Sequence, residues 1–206
     1  MTKSIITLTI LLISMVSFAQ PNGNYVVIIN NDSIPINLDS NYNYNTEKGE
    51  QLTIKVFQPE ILTYSDSVIS FKHHKSLSVS NTVIEDGIEQ CMMIKSTGNG
   101  IMVQKYKTMN PSYLTEIMLN ELTKESVSYG YKKTEKKFKK KLKSGQTIKG
   151  VMATLIYKGA KEVYTVASYG SKDEGILVVT MLLNDDFKED KKIIKLFLNT
   201  LSINSK

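Results

Sequence analysis

The chain has 206 residues and carries 26 Lys plus Arg against 20 Asp plus Glu; every one of the 26 cations is a lysine, and there is no tryptophan. Without the guanidinium fork that reads phosphates and guanine edges bidentately, a +6 excess of hydrated ammonium groups argues against sequence-specific nucleic-acid recognition. Hydrophobic content of 41% and charged content of 22% exclude a disordered or fibrous chain, and a single cysteine, Cys91, excludes an internal disulfide.

Residues 1–19 read as a secretory signal: Lys3, an uncharged apolar run from Ile5 to Phe18, then Ser17 and Ala19 flanking Phe18, with cleavage after Ala19. That run is shorter than the ~20 residues a membrane span needs. The mature protein is therefore expected to be secreted or periplasmic, with no transmembrane anchor after signal removal. Residues 20–60 read as a small N-terminal β extension. Tyr25 to Ile29 and Ser33 to Leu38 are strands about an Asn30-Asn31-Asp32 turn, with Pro35 placing the second at an edge. Asn41 to Asn45 reads as a polar loop, and Leu52, Ile54 and Val56 alternate as one face of a strand.

Residues 61–206 read as the main domain. Val68 to Phe71 and Leu77 to Val79 are short strands, Asp86-Gly87 turns into Ile88 to Lys95, and Thr97 to Gly100 returns the chain through Ile101 to Tyr106. Asn110 caps a helix with Pro111 at its first position and Leu114, Ile117, Met118 and Leu122 on one stripe. Val151 to Tyr157, Val163 to Tyr169 and Ile176 to Leu183 follow as an antiparallel meander. A second helix is expected from about Asp186, with Asp190, Ile194, Phe197, Leu198 and Leu201 at helical spacing. The sum is an α+β fold, an antiparallel sheet covered by two main helices.

This order of elements, together with Tyr64 to Phe71, Lys172 to Val178 and the tail Asn199-Thr200-Leu201-Ser202-Ile203, resembles the PsbP-like α/β/α sandwich over about residues 61–206. The resemblance implies an exported accessory or binding protein and no common active site.

Lys132 to Lys149 is the densest feature: nine lysines and one acid, Glu135, give +8, while 17 lysines against 19 acids leave the rest of the chain at −2. Phe138 and Leu142 within it suit a strand with an inward apolar face and lysines on its outer face and edge. Lysine on an edge blocks sheet-to-sheet association; the same charges suit docking on anionic lipid, acidic polysaccharide or an acidic protein partner. The candidate binding residues are Lys132, Lys133, Lys136, Lys137, Lys139, Lys140, Lys141 and Lys143.

Other constellations carry less. His73 and His74 are adjacent, so in a strand they point to opposite faces and cannot chelate one metal. Asp185, Asp186, Glu189 and Asp190 lack the spacing of a calcium loop and suit a helix N-terminus. Cys91 lies in the apolar run Cys91-Met92-Met93-Ile94 and reads as a buried small hydrophobe. No catalytic residue, metal site or cofactor is expected. The expected function is an exported, non-catalytic accessory or binding protein of the cell envelope; the competing reading is a secreted or periplasmic hydrolase with a site assembled from scattered polar residues.

Overall fold

The computed structural model describes residues 25–183 and 188–204. The leader at 1–19 and the helix start near Asp186 lie outside the described residues, as do Asp185 and Asp186 themselves. The chain divides into two compact units, Met1–Pro59 and Glu60–Lys206.

In the first unit, β1 (Tyr25–Ile29) and β2 (Asp32–Ile36) pair as a hairpin. Asn30 stands at φ 56°, the left-handed conformation that a two-residue hairpin loop needs and that asparagine tolerates. β3 (Asn41–Asn45) and β4 (Gln51–Lys55) form a second hairpin. The loop expected at Asn41 to Asn45 is thus a strand. Tyr42 and Tyr44 stand opposite Ile54 and Leu52, and Thr53 Oγ1 donates to Asn43 Oδ1 at 3.1 Å, so cross-strand pairs outweigh asparagine's poor β propensity. Tyr44 Oη donates to Asp32 Oδ2 at 2.7 Å and joins the hairpins.

The second unit is built from two meanders. β7 (Ser80–Glu85), β8 (Ile88–Ile94) and β9 (Gly100–Tyr106) form one; β10 (Lys132–Lys141), β11 (Thr147–Tyr157), β12 (Ala160–Gly170) and β13 (Gly175–Leu183) form the other. They join where β13 pairs with β9, giving one antiparallel sheet in the order β10-β11-β12-β13-β9-β8-β7. Between them α1 (Leu114–Tyr129) carries the chain back over β12 and β11 to the far edge. Its entry is a 3-10 turn, Pro111–Tyr113, capped by Asn110 Oδ1 accepting from Ser112 N at 3.0 Å. Gly130, at φ 113°, closes its C-terminus in the left-handed conformation.

Period-two alternation sends each strand's side chains to two cores. On the α1 side Met102, Tyr106, Ala153, Leu155, Val166, Leu177 and Val179 pack with Leu119. On the other side Ile101, Val103, Cys91, Met93, Ile148 and Val178 meet Ile69 and Phe71 of β6 (Ile69–His74) and Phe197 of α2 (Lys188–Thr200). Here β6 belongs to a three-stranded sheet of order β14-β6-β5, with β5 at Ile61–Ser65 and β14 at Ser202–Ile203.

The α+β expectation, a PsbP-like sheet covered by two main helices, is therefore corrected. Of the described residues 53% are in strands and 18% in helices, so the protein is mostly antiparallel β, and one of its covers is partly a second sheet. The reason lies at Asp66. Tyr64 to Phe71, one of the stretches that carry the resemblance, is a hairpin: Asp66 Oδ1 accepts from Val68 N and Ile69 N at 2.8 Å each and folds β6 back on β5. Two smaller readings change as well. Leu77 to Val79 is not a strand and β7 follows it; on α1 the buried stripe is Thr115, Leu119 and Thr123, while Ile117 is exposed.

Candidate functional site

The structure places the lysine run in β10, an edge strand of the seven-stranded sheet. Its inward anchors are those expected: Leu142 is buried and Phe138 packs against the core shared with α2. Phe138 stands directly across from Gly150 of β11, where a Cβ would fall 2.0 Å from the Val166 carbonyl oxygen; only glycine lets β11 approach β12 so closely.

Alternation divides the lysines between two faces. Lys133, Lys137, Lys139 and Lys141 share a face with Val151 and Ala153, on the side of α1; Lys132, Lys136 and Lys140 share the opposite face with Phe138. Lys133 is held, with Nζ at 2.6 Å from Glu135 Oε1 and 3.0 Å from Asn120 Oδ1, and Lys140 Nζ donates to Asn199 Oδ1 at 2.6 Å. Lys132, Lys136, Lys137, Lys139 and Lys141 are exposed, as is Lys143 just beyond the strand, and none of them forms an ion pair with a described residue.

Register adds a cation that the candidate set lacks. Lys139 stands directly opposite Lys149 on β11. Like charges in that position repel by roughly 0.2–1 kcal/mol. Lys137, Lys139 and Lys149 line a groove of about 860 Å³ between β10 to β12 and the entry to α1, with Tyr113, Glu116 and Tyr169 among its other walls. The chemistry available there is attraction of an anion to a set of point charges.

A second polar cluster escaped the sequence reading. Lys105, near the end of β9, is 4% exposed, and its Nζ lies 2.7 Å from Asp66 Oδ2 and 2.9 Å from Glu89 Oε2; Glu89 also pairs with Lys107. Tyr64 Oη donates to Asp66 Oδ2 at 2.8 Å. Burial pushes the Asp66 carboxyl upward, but hydrogen bonds from Lys105, the Ile69 and Val68 amides and Tyr64 outweigh it and hold the group at about 2. Burial pushes Lys105 downward, and its hydrogen bonds to Asp66 and Glu89 reverse that into a raised pKa. These charges satisfy one another and tie the β5–β6 hairpin to the main sheet. No signal at Lys105 could have shown this, because a lysine between Gln104 and Tyr106 reads as an ordinary solvated strand position and Asp66 is 39 residues away.

The remaining candidates are structural. His73 is buried, with its ring edge-on to Phe71, while His74 faces Glu60 at 3.0 Å and Ser76 at 2.8 Å. Asp190 is buried, pairs with Lys95 and accepts from Asn99 Nδ2 at 2.5 Å, which seats α2 on the β8–β9 tip. Cys91 is fully buried, and burial raises its thiol to about 11, where it is inert. Among the described residues no three His, Cys, Asp or Glu side chains gather as a metal site, and no helix is long and apolar enough to cross a membrane. No protein-family model matches the chain, and no curated protein matches it.

Proposed function

We propose that the protein is an exported, non-catalytic accessory or binding protein of the cell envelope that docks an anionic surface through β10. The observation that carries this reading is the placement of Lys139 against Lys149, with Lys137 beside them, over an open groove. Lysine blunts an edge strand, but a like-charge pair placed directly opposite on it raises the energy of the free protein, and an anion lowers it again. The six exposed lysines without ion pairs to described residues spread the same attraction along the strand and into its following turn.

Binding to anionic vesicles or to acidic polysaccharide at low and raised salt tests the reading. Each lysine near an anionic leaflet contributes about 1 kcal/mol. Replacing Lys136, Lys137, Lys139, Lys140 and Lys141 by Gln is thus expected to weaken binding by roughly a hundredfold or more, and raising salt to shorten the Debye length from ~10 Å to ~3 Å is expected to do the same to the native protein. Binding indifferent to both changes overturns it.

A further inference from the structure

The lysine strand begins at an aromatic tip. Tyr129 ends α1, Tyr131 immediately precedes Lys132, and Tyr157 ends β11. Their rings form one cluster, with centroids 5.2 Å apart for Tyr129 and Tyr157, 5.4 Å for Tyr131 and Tyr157, and 6.3 Å for Tyr129 and Tyr131. The backbone builds it: Gly130 turns the chain from the helix into the strand, and a Cβ there would touch the Tyr157 ring at 3.4 Å. Tyr129 is 71% exposed. Lys158, in the turn after Tyr157, holds its Nζ 5.1 Å from the Tyr157 ring centroid. Ile156, opposite Lys132 in the register and on the other face of the sheet from Tyr157, is 50% exposed.

We infer that this tip is a membrane-interface anchor: the protein docks on an anionic bilayer with Tyr129, Tyr131, Tyr157 and Ile156 entering the headgroup layer and Lys132, Lys136 and Lys158 against lipid phosphates. The inference rests on the docking reading above and names its surface. Tyrosine combines an apolar ring with a polar tip and concentrates at the boundary between hydrocarbon and water, and lysine next to it adds attraction to anionic lipid. A polysaccharide would meet this tip less well. The Tyr129 ring crosses Tyr157 at 72° and Tyr131 at 46°, and Tyr131 and Tyr157 are tilted by 30°, so the three rings form no single flat platform for sugar rings, and an exposed isoleucine gains more from a lipid interface than from a hydroxylated partner. Glu162 accepts from Ser126 Oγ at 2.7 Å and Tyr164 Oη at 3.3 Å, and burial first, then the charge of this carboxylate and its hydrogen bond with Tyr131, pushes the Tyr131 hydroxyl upward.

The absence of tryptophan makes a direct test possible. A Tyr129→Trp variant carries a single reporter at the tip, and a Val83→Trp variant carries one on β7, at the opposite edge of the sheet, where Val83 is 69% exposed. Both full-length mature proteins, with far-UV spectra matching the native one, are mixed with phosphatidylcholine vesicles, with vesicles also containing phosphatidylglycerol, and with dextran sulfate. The expected result is a blue shift and severalfold weaker acrylamide quenching for Tyr129→Trp with the anionic vesicles alone, and neither change for Val83→Trp. A Tyr129→Ser variant is expected to bind the same vesicles severalfold more weakly. Co-sedimentation with anionic vesicles but an unshifted, fully quenchable Tyr129→Trp reporter overturns the anchor and leaves lysine docking standing. A shift with dextran sulfate and none with vesicles overturns it in favour of an acidic polysaccharide, and no association with either anionic probe removes the docking reading itself.

Discussion

The two edges of the seven-stranded sheet face the same hazard and meet it differently. β7 has six residues, every one exposed, no lysine, and a register shift between Val83 and Glu85 that breaks its ladder with β8. A short, bulged strand is a poor template for another chain. β10 has ten residues in an unbroken register with β11 and carries seven lysines. Long and without a bulge, β10 has its lysines to blunt it, and how far their number exceeds that need is what replacing them measures.

The sharpest way to break this contrast is to compare lysines of the two kinds. Lys105→Met strands Asp66 and Glu89 beside an apolar side chain, and loss of one partner of such a buried pair is expected to cost about 3 kcal/mol in urea unfolding. The five-lysine Gln variant of β10 is expected to unfold within about 1 kcal/mol of the native protein and to keep the native protein's sedimentation profile, because surface changes of this kind are individually small. Aggregation of that variant would show that the lysines serve edge protection after all.

Acid provides the next largest effect. Asp66 titrates at about 2 in the folded protein and near the ordinary ~3.9 when unfolded, so its contribution is present above pH ~4 and is lost as pH falls towards 2. That loss is expected to amount to about 2 kcal/mol in unfolding experiments across this window. Asp66→Asn is expected to flatten the profile there, whereas the β10 lysines leave it unchanged. The smallest effect refines the edge itself. Lys139→Gln removes the repulsion with Lys149 and is expected to stabilise the protein by about 0.5 kcal/mol at low salt, a gain that vanishes near 1 M salt, while weakening anionic binding.

What the sequence made legible was local. Asn110 before Pro111 marks the entry to α1, and Phe138 with Leu142 reveals that a run of lysines has an inside. The misreadings share one cause: pairing and packing decide these segments, and composition alone does not display either. Asn41 to Asn45 is a strand because β4 pairs with it, and β7 shows no periodicity because no side chain on it is buried. Ile117 satisfies a helical pattern, yet the sheet selects the stripe of Thr115, Leu119 and Thr123. The lysine patch was visible as composition, but the Lys139–Lys149 opposition that gives it meaning depends on register.

Along the chain, α1 and the strands β10 to β12 separate β9 from β13, which lie side by side in the sheet. Each meander closes through short turns, but pairing β9 with β13 brings Tyr106 to Gly175, closing a loop of about 70 residues. Contacts that distant are slow to form, while local hairpins form within microseconds. In topology the sheet is two local meanders joined by one long-range seam. Val103 faces Val178 at that seam, and Val103→Ala is expected to slow refolding in stopped-flow measurements.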